Sequence, residues 1–303
     1  RQLTDKVIMI RPRHFGSNPE TAANNTFQST EYDQSVEAVS QLATAEFDAL
    51  VVKLEEYGVE VKVIEDTDQP AKPDAVFPNN WLSTHADGAI ITYPMFSPLR
   101  RNERREDIIQ QLREEYPVGR RYAFEQYEEQ NEFLEGTGSM VLDRENKVVY
   151  ACLSDRTNVM VLDKWCVLRG YSKVAFHAFS DGVAVYHTNV LMALGDEYVV
   201  ICLDCIPSED ERNELKQSFA RTGKEVVEIS VAQMNAFAGN MLQLATRKGE
   251  KILVMSTTAR ASLRSNQVKT LEKYNAIVTG DIPIIEKYGG GSVRCMIAEN
   301  FLD

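Results

Sequence analysis

The chain has 303 residues, 44% of them hydrophobic and 26% charged, with a formal net charge of −12; that length can bury a sizeable core in one large domain. The acidic balance argues against nucleic-acid binding, which needs clustered lysine and arginine, and no apolar run approaches the roughly 18 to 20 residues that span a bilayer. Five scattered cysteines, Cys152, Cys166, Cys202, Cys205 and Cys295, are odd in number and lack the spacing of a disulfide scaffold, so a reducing compartment, the cytoplasm, is expected.

The opening RQLTDKVIMIRPRHFG has too short an apolar run for a signal peptide and predicts a first strand over 7–10. A helix over 32–57 follows, then strands over 59–64 and 89–92, a helix over 101–116, and strands over 140–142 and 148–153. A helix over 155–170 precedes strands over 183–187, 190–193 and 198–203. Ser208 with Glu211 has capping-box spacing and opens a helix over 208–222. Strands over 226–229, 241–246 and 251–256, a helix over 262–273, and strands over 276–279 and 292–297 complete the chain. Two or three short strands and then one helix recur about five times, with no linker between them. One α/β domain over 1–303 is expected, without the regular alternation of a doubly wound sheet. Neither glycine-rich nucleotide motif occurs, so no cofactor is expected. Cys202-Leu-Asp-Cys205 lacks the second ligand pair of a zinc site, so no metal is expected either.

Chemistry is suggested by GGGSVRCMIAE, Gly289 to Glu299. Three glycines let the backbone turn sharply and approach a ligand, and Cys295 follows them. A nucleophilic cysteine needs a nearby proton acceptor and surroundings that favour its thiolate. Of the four histidines, His14, His85, His177 and His187, the last ends a predicted strand in YHTN beside Asn189. Glu135 precedes Gly-x-Gly and a predicted strand in FLEGTGSMVL. Taken singly, each has a plain alternative: a buried structural cysteine, a satisfied histidine, a solvated glutamate.

Together the segments resemble a family. GGGSVRCM resembles the nucleophile loop of the guanidino-group modifying enzymes: arginine deiminases, dimethylarginine hydrolases and amidinotransferases. LEGTGSM resembles their E-G-G-D segment, HTN their H-x-D, CLSDRT their G-x-S-x-R-T, PDAVFPNNW their P-D-x-x-F-x-R-D and LRRNE their R-R-x-E. All six fall in the family's order. The resemblance implies the pentein fold, a five-bladed α/β propeller of ββαβ-type modules. It makes Cys295 the nucleophile, His187 the general acid/base and Glu135 its partner. Arg156 and Arg101 match arginines that hold a substrate α-carboxylate, with the neighbouring Arg100 open as a one-residue shift. Asp74 keeps an acid that meets an amino group. The segment 14–28 matches a lid, with Asn18 and Asn25 as substrate contacts, and AGN resembles a pocket segment contributing Asn240.

The sequence departs from the family at two places. Arginine-directed members hold the guanidinium with two aspartates, and here those positions are Asn80 and Asn189. An amide both donates and accepts hydrogen bonds but carries no counter-charge. A buried cation is therefore disfavoured and a neutral ureido group suits the pair. FPNNW and RPRHFGSNPETA also resemble the bacterial citrulline-hydrolase branch. The expectation is a hydrolase converting citrulline and water to ornithine, ammonia and carbon dioxide through a covalent cysteine adduct, the order of nitrogen departure being open. The alternatives are a guanidine-acting hydrolase, an amidinotransferase and a non-catalytic binding protein. The expected partner is a small amino-acid substrate, with neither nucleic acid nor membrane; self-association is open.

Overall fold

The β-branched runs become strands of only two to six residues, too short to build one broad sheet, and they group mainly by threes. In the computed structural model, which describes residues 1–303, β1 (Lys6–Arg11) runs parallel to β2 (Glu60–Glu65), with the helix Val36–Glu56 crossing between them. β3 (Leu82–Thr84) is antiparallel to β4 (Ala89–Thr92), which is parallel to β5 (Arg120–Ala123). The same order returns in β6 (Val141–Asp143), β7 (Val148–Cys152) and β8 (Ser172–Phe176). A hairpin of β9 (Phe179–Ser180) and β10 (Val183–Ala184) intervenes. The order then recurs in β11 (Met192–Leu194), β12 (Tyr198–Ile201) and β13 (Glu225–Glu228), and in β14 (Leu242–Ala245), β15 (Lys251–Ser256) and β16 (Ala276–Gly280). Finally β17 (Ala298–Glu299) pairs antiparallel with β1, Val7 opposite Glu299, giving the first sheet its missing strand.

Each of the five sheets thus joins an antiparallel pair to a parallel one. A parallel neighbour needs a crossover, and a helical segment supplies it every time. The fold is mixed α/β, and no strand pairing links one three-stranded sheet to the next. No helix is long and apolar enough to cross a membrane.

One place in the repeated unit matters most for chemistry. A short turn stands just before the first strand of each antiparallel pair. These turns are Pro78–Asn80 before β3, Gly136–Ser139 before β6, Thr188–Leu191 before β11 and Val293–Met296 before β17. Before β14 the turn is closed by the Asn240 N–H donating to the Phe237 carbonyl at 2.9 Å. Asn80, Glu135, His187, Asn189, Asn240 and Cys295 all lie in these turns or one residue outside them.

Several expectations need correction here. The strand expected over 292–297 is a 3-10 helix, Val293–Met296, every residue of which is buried; its apolar run reflects burial on all sides rather than a pleated face. The strand expected over 190–193 begins only at Met192, because Thr188–Leu191 coils into a helical turn. In 183–187 only Val183–Ala184 pairs. The helix expected over 101–116 is two, Pro98–Arg101 and Glu106–Glu115. Ser208 does cap Glu209–Arg221, its Oγ accepting from the Glu211 N–H at 3.3 Å. The Glu211 carboxylate turns away to His177, at 2.9 Å, so the capping box is half made.

Candidate active site

The Gly-x-Gly after Glu135 is a matter of clearance. Gly136 has φ +49, and a Cβ there would stand 2.3 Å from the Asn79 carbonyl oxygen; at Gly138 it would stand 2.5 Å from Asn80 Nδ2 and 2.8 Å from His187 Nδ1. Any side chain would push the three turns apart, so glycine is what brings Asn80, Glu135 and His187 together.

Cys295 is reached from the helix Pro283–Gly289, which ends at Gly290 in the left-handed conformation, φ 63. Ser292 then anchors the next turn. Its hydroxyl donates to the buried Glu286 carboxylate at 2.6 Å, and its carbonyl accepts the Cys295 N–H at 3.0 Å. The Cys295 side chain opens into a small cavity of about 20 Å³ whose wall also includes His187, Asn80, Asp74, Arg100, Arg156, Phe77, Thr21, Asn25 and Tyr186. That is room for about one water molecule, so a substrate enters only as parts of the wall give way. Behind the wall, the amides of Asn189 and Asn240 reach the sulfur at 3.4 and 3.3 Å.

His187 and Glu135 form a buried pair, Nε2 to Oε2 at 2.6 Å. The other Glu135 oxygen accepts the Phe96 N–H at 2.9 Å. Burial alone would raise the Glu135 pKa, but Arg156 foremost, then His187 and Arg100, hold it down at about 2. Burial pushes His187 down to about 4, although Glu135 pulls the other way. At neutral pH the pair is therefore a carboxylate and a neutral imidazole. An ionised carboxylate only accepts, so Nε2 carries the proton and Nδ1 keeps its lone pair.

The two adjacent arginines part company. Arg101 does not reach the cavity, contrary to expectation: its Nε donates to the Met95 carbonyl at 3.1 Å and lies 3.3 Å from Glu128. Arg100 faces inward, because Ser97 caps and Pro98 starts their short helix, fixing its phase. Its guanidinium forks onto Glu103 with two bonds of 2.9 Å and donates to Asn80 Oδ1 at 2.7 Å. Arg156 is less committed. It lies over the Tyr186 ring at 4.4 Å, 3.7 Å from Glu135, with Asn24 Oδ1 accepting from its Nε at 3.1 Å.

Asn24 belongs to the segment 14–28, which is without helix or strand and contributes Thr21 and Asn25 to the cavity wall. Asn18 does not line the cavity; it donates to Asp74 at 2.9 Å and ties the segment down. Asn25 does line it and donates to the Gly289 carbonyl at 3.1 Å. Asp74, beside Arg100 at 3.7 Å, is pushed up by burial. The structure thus places Cys295, His187, Asn80, Asp74, Arg156 and Asn25 around one cavity, with Glu135, Asn189 and Asn240 directly behind. Sequence reading overlooked Tyr186, Thr21 and Asn24, and recognised Glu103 only as the acid of the R-R-x-E resemblance, without a role. Its signal was its place three residues after Arg100, the spacing of a helical ion pair. The remaining histidines are elsewhere: His14 on Asp68, His85 on Ser83, His177 on Glu211. Cys202 and Cys205 are buried with their sulfurs 3.0 Å apart.

Over residues 11–302 the chain matches a family model described as N,N dimethylarginine dimethylhydrolase, eukaryotic. No curated protein matches it. Among solved structures it is similar to the N-terminal domain of ArgZ, an arginine dihydrolase of cyanobacteria, in a substrate complex: 16% identity, 97% of each chain covered, TM-score 0.73. A complex of an AgrE mutant with L-arginine gives 16% identity over 97% of this chain and 40% of that one, TM-score 0.72. Dimethylarginine dimethylhydrolase (DDAH) from Pseudomonas aeruginosa, complexed with citrulline, gives 14% identity over 99% and 100%, TM-score 0.65. At these identities the likeness to solved structures is one of fold.

Proposed function

The chain belongs to the eukaryotic N,N dimethylarginine dimethylhydrolase family, and from that premise we propose that it hydrolyses the ureido group of citrulline or a close relative, with Cys295 as nucleophile. The observation that carries this reading is the charge of the cavity wall. Two guanidinium groups, Arg100 and Arg156, line it beside one carboxylate, Asp74, while Glu103 and Glu135 stand behind them. Asp74 and Glu103 are already engaged by Arg100, and Glu135 by His187 and Arg156, so no acid is left free for a substrate guanidinium. A neutral ureido group needs none. Asn80 points the same way: its Oδ1 accepts from Arg100 and its Nδ2 donates to Asn79 Oδ1 at 3.0 Å, leaving one N–H as a donor for a ureido oxygen.

The steps follow from these groups. Neutral His187 takes the Cys295 thiol proton on Nδ1 as the sulfur adds to the ureido carbon, and negative charge gathers on the oxygen facing Asn80. His187 passes that proton to the departing nitrogen and then takes one from the water that cleaves the adduct. Glu135 keeps the ring in the required tautomer. Arg156, exchanging Asn24 for the substrate α-carboxylate, and Asp74, near the α-amino group, orient the molecule. The carbamate released from the sulfur loses carbon dioxide and frees the second nitrogen, so citrulline and water give ornithine, ammonia and carbon dioxide. In the same reading, the five sheets of one catalytic domain stand as blades around this centre.

The test is to offer citrulline and arginine side by side and follow the amino acids formed. Ornithine from citrulline is the expected result. Citrulline accumulating from arginine, with citrulline itself untouched, would sink the ureido reading and favour a guanidine-acting hydrolase. The pH profile is a second check. With His187 held at about 4 by burial, the acid limb of kcat/KM is expected near pH 4, well below an ordinary histidine. The sign for stability is the same: the unfolded chain takes the proton first, so the contribution of neutral His187 is present above about pH 6.5 and is lost as pH falls toward 4. An activity limb at pH 6 to 7 assigned to His187 would contradict this.

A further inference from the structure

The sequence resemblance makes Asn240 a substrate contact; its surroundings give it a different task. Its Oδ1 accepts the Arg294 backbone N–H at 3.1 Å, which fixes the amide's orientation, and its Nδ2 then donates both to the Asn189 carbonyl at 2.8 Å and to Cys295 Sγ at 3.3 Å. The residue is 2% exposed and forms no part of the cavity wall. Asn189 adds a second amide donor to the same sulfur at 3.4 Å, while its own Oδ1 has no partner. No lysine, arginine or histidine side chain hydrogen-bonds the sulfur.

We propose that Asn240 is a catalytic residue of a neutral kind: its amide donates to Cys295 Sγ, holds the sulfur in place and stabilises the thiolate that forms as its proton leaves. A hydrogen bond to an ionised acceptor is roughly twice as strong as one between neutral groups, so an N–H aimed at sulfur favours thiolate over thiol. Most activated cysteines achieve this with a neighbouring cation or a helix N-terminus; here two buried amides stand in that place. Asn240 also ties the nucleophile's turn to the turn carrying Asn189, so the donor and the sulfur move together.

This rests on Cys295 being the nucleophile, and the experiment separates the two claims. Iodoacetamide alkylation of the substrate-free protein at pH 7 is followed at each cysteine by peptide mass spectrometry, for the wild type, Asn240→Asp and Asn240→Ser. Asn240→Asp keeps the acceptor for Arg294 and removes both donor hydrogens. Alkylation of Cys295 is expected to slow at least tenfold in it, with the serine variant intermediate because its hydroxyl can still donate. Wild-type alkylation rates at the other four cysteines would show that the fold has held. Unchanged alkylation of Cys295 together with a raised KM would overturn the proposal and return Asn240 to substrate binding. A wild-type Cys295 no more reactive than the other cysteines would overturn the nucleophile assignment itself.

Discussion

Replacing Cys295 with serine is expected to lower citrulline hydrolysis by at least about 10⁴-fold, the scale seen when a nucleophile is removed from an otherwise intact site, with little change in thermal stability. The two side chains are close in size, and the Cys295 N–H bond to Ser292 and the buried surroundings persist. What disappears is an ionisable sulfur: a serine hydroxyl is not ionised near neutral pH and needs a base in contact with it. Intact mass after mixing with citrulline gives the direct readout. The wild type should carry a substrate-derived increment that maps to Cys295, and the variant none. Turnover retained to within tenfold in Cys295→Ser, with no wild-type adduct, would mean that another group attacks the carbon.

Asn80→Asp is expected to cut kcat/KM for citrulline by about 10² to 10³, the usual effect of deleting one donor to a developing oxyanion. The substitution is nearly isosteric, and an aspartate oxygen can still accept from Arg100 at the 2.7 Å contact. It cannot donate, so the ureido oxygen loses its partner and meets a negative charge instead. The same charge should make a guanidinium less unwelcome, so the citrulline-to-arginine preference should narrow or invert. If citrulline turnover were unaffected, Asn80 would not face the ureido oxygen, and the assignment of the site's donors would have to be redrawn.

Much of this molecule was legible in its sequence, for identifiable reasons. β4 and β15 fall on the expected residues, since Ala89–Thr92 and Lys251–Ser256 are apolar or β-branched runs bounded by turn residues and charge. β5 was not legible, because Arg120–Ala123 is a partly exposed edge strand with two arginines. Cys295, His187 and Glu135 were identified by segment order, with Cys295 expected within a strand, His187 ending one and Glu135 preceding one. In fact Cys295 sits in a helical turn ahead of its strand, and His187 and Glu135 stand one residue before such turns, where burial on every side erases periodicity. Arg100 and Arg101 illustrate a different limit. Adjacent residues on a helix point about 100° apart, and only the phase set by Ser97 and Pro98 decides which one turns inward. The pairing of Asn24 with Arg156 joins positions 132 residues apart in the chain, and no local pattern announces it.

The placement of the five turns has a consequence for how the enzyme comes into being. Asn80, Glu135, His187 and Asn240 each precede the first strand of their own unit, and all leave the ribosome before Cys295. The sulfur's own strand, β17, completes the sheet begun by β1. A nascent chain can therefore assemble four fifths of the reaction centre and still have no nucleophile in it. The donors wait for the sulfur, and its activation coincides with the joining of late chain to early chain. A chain released before that point would be catalytically silent rather than partly active.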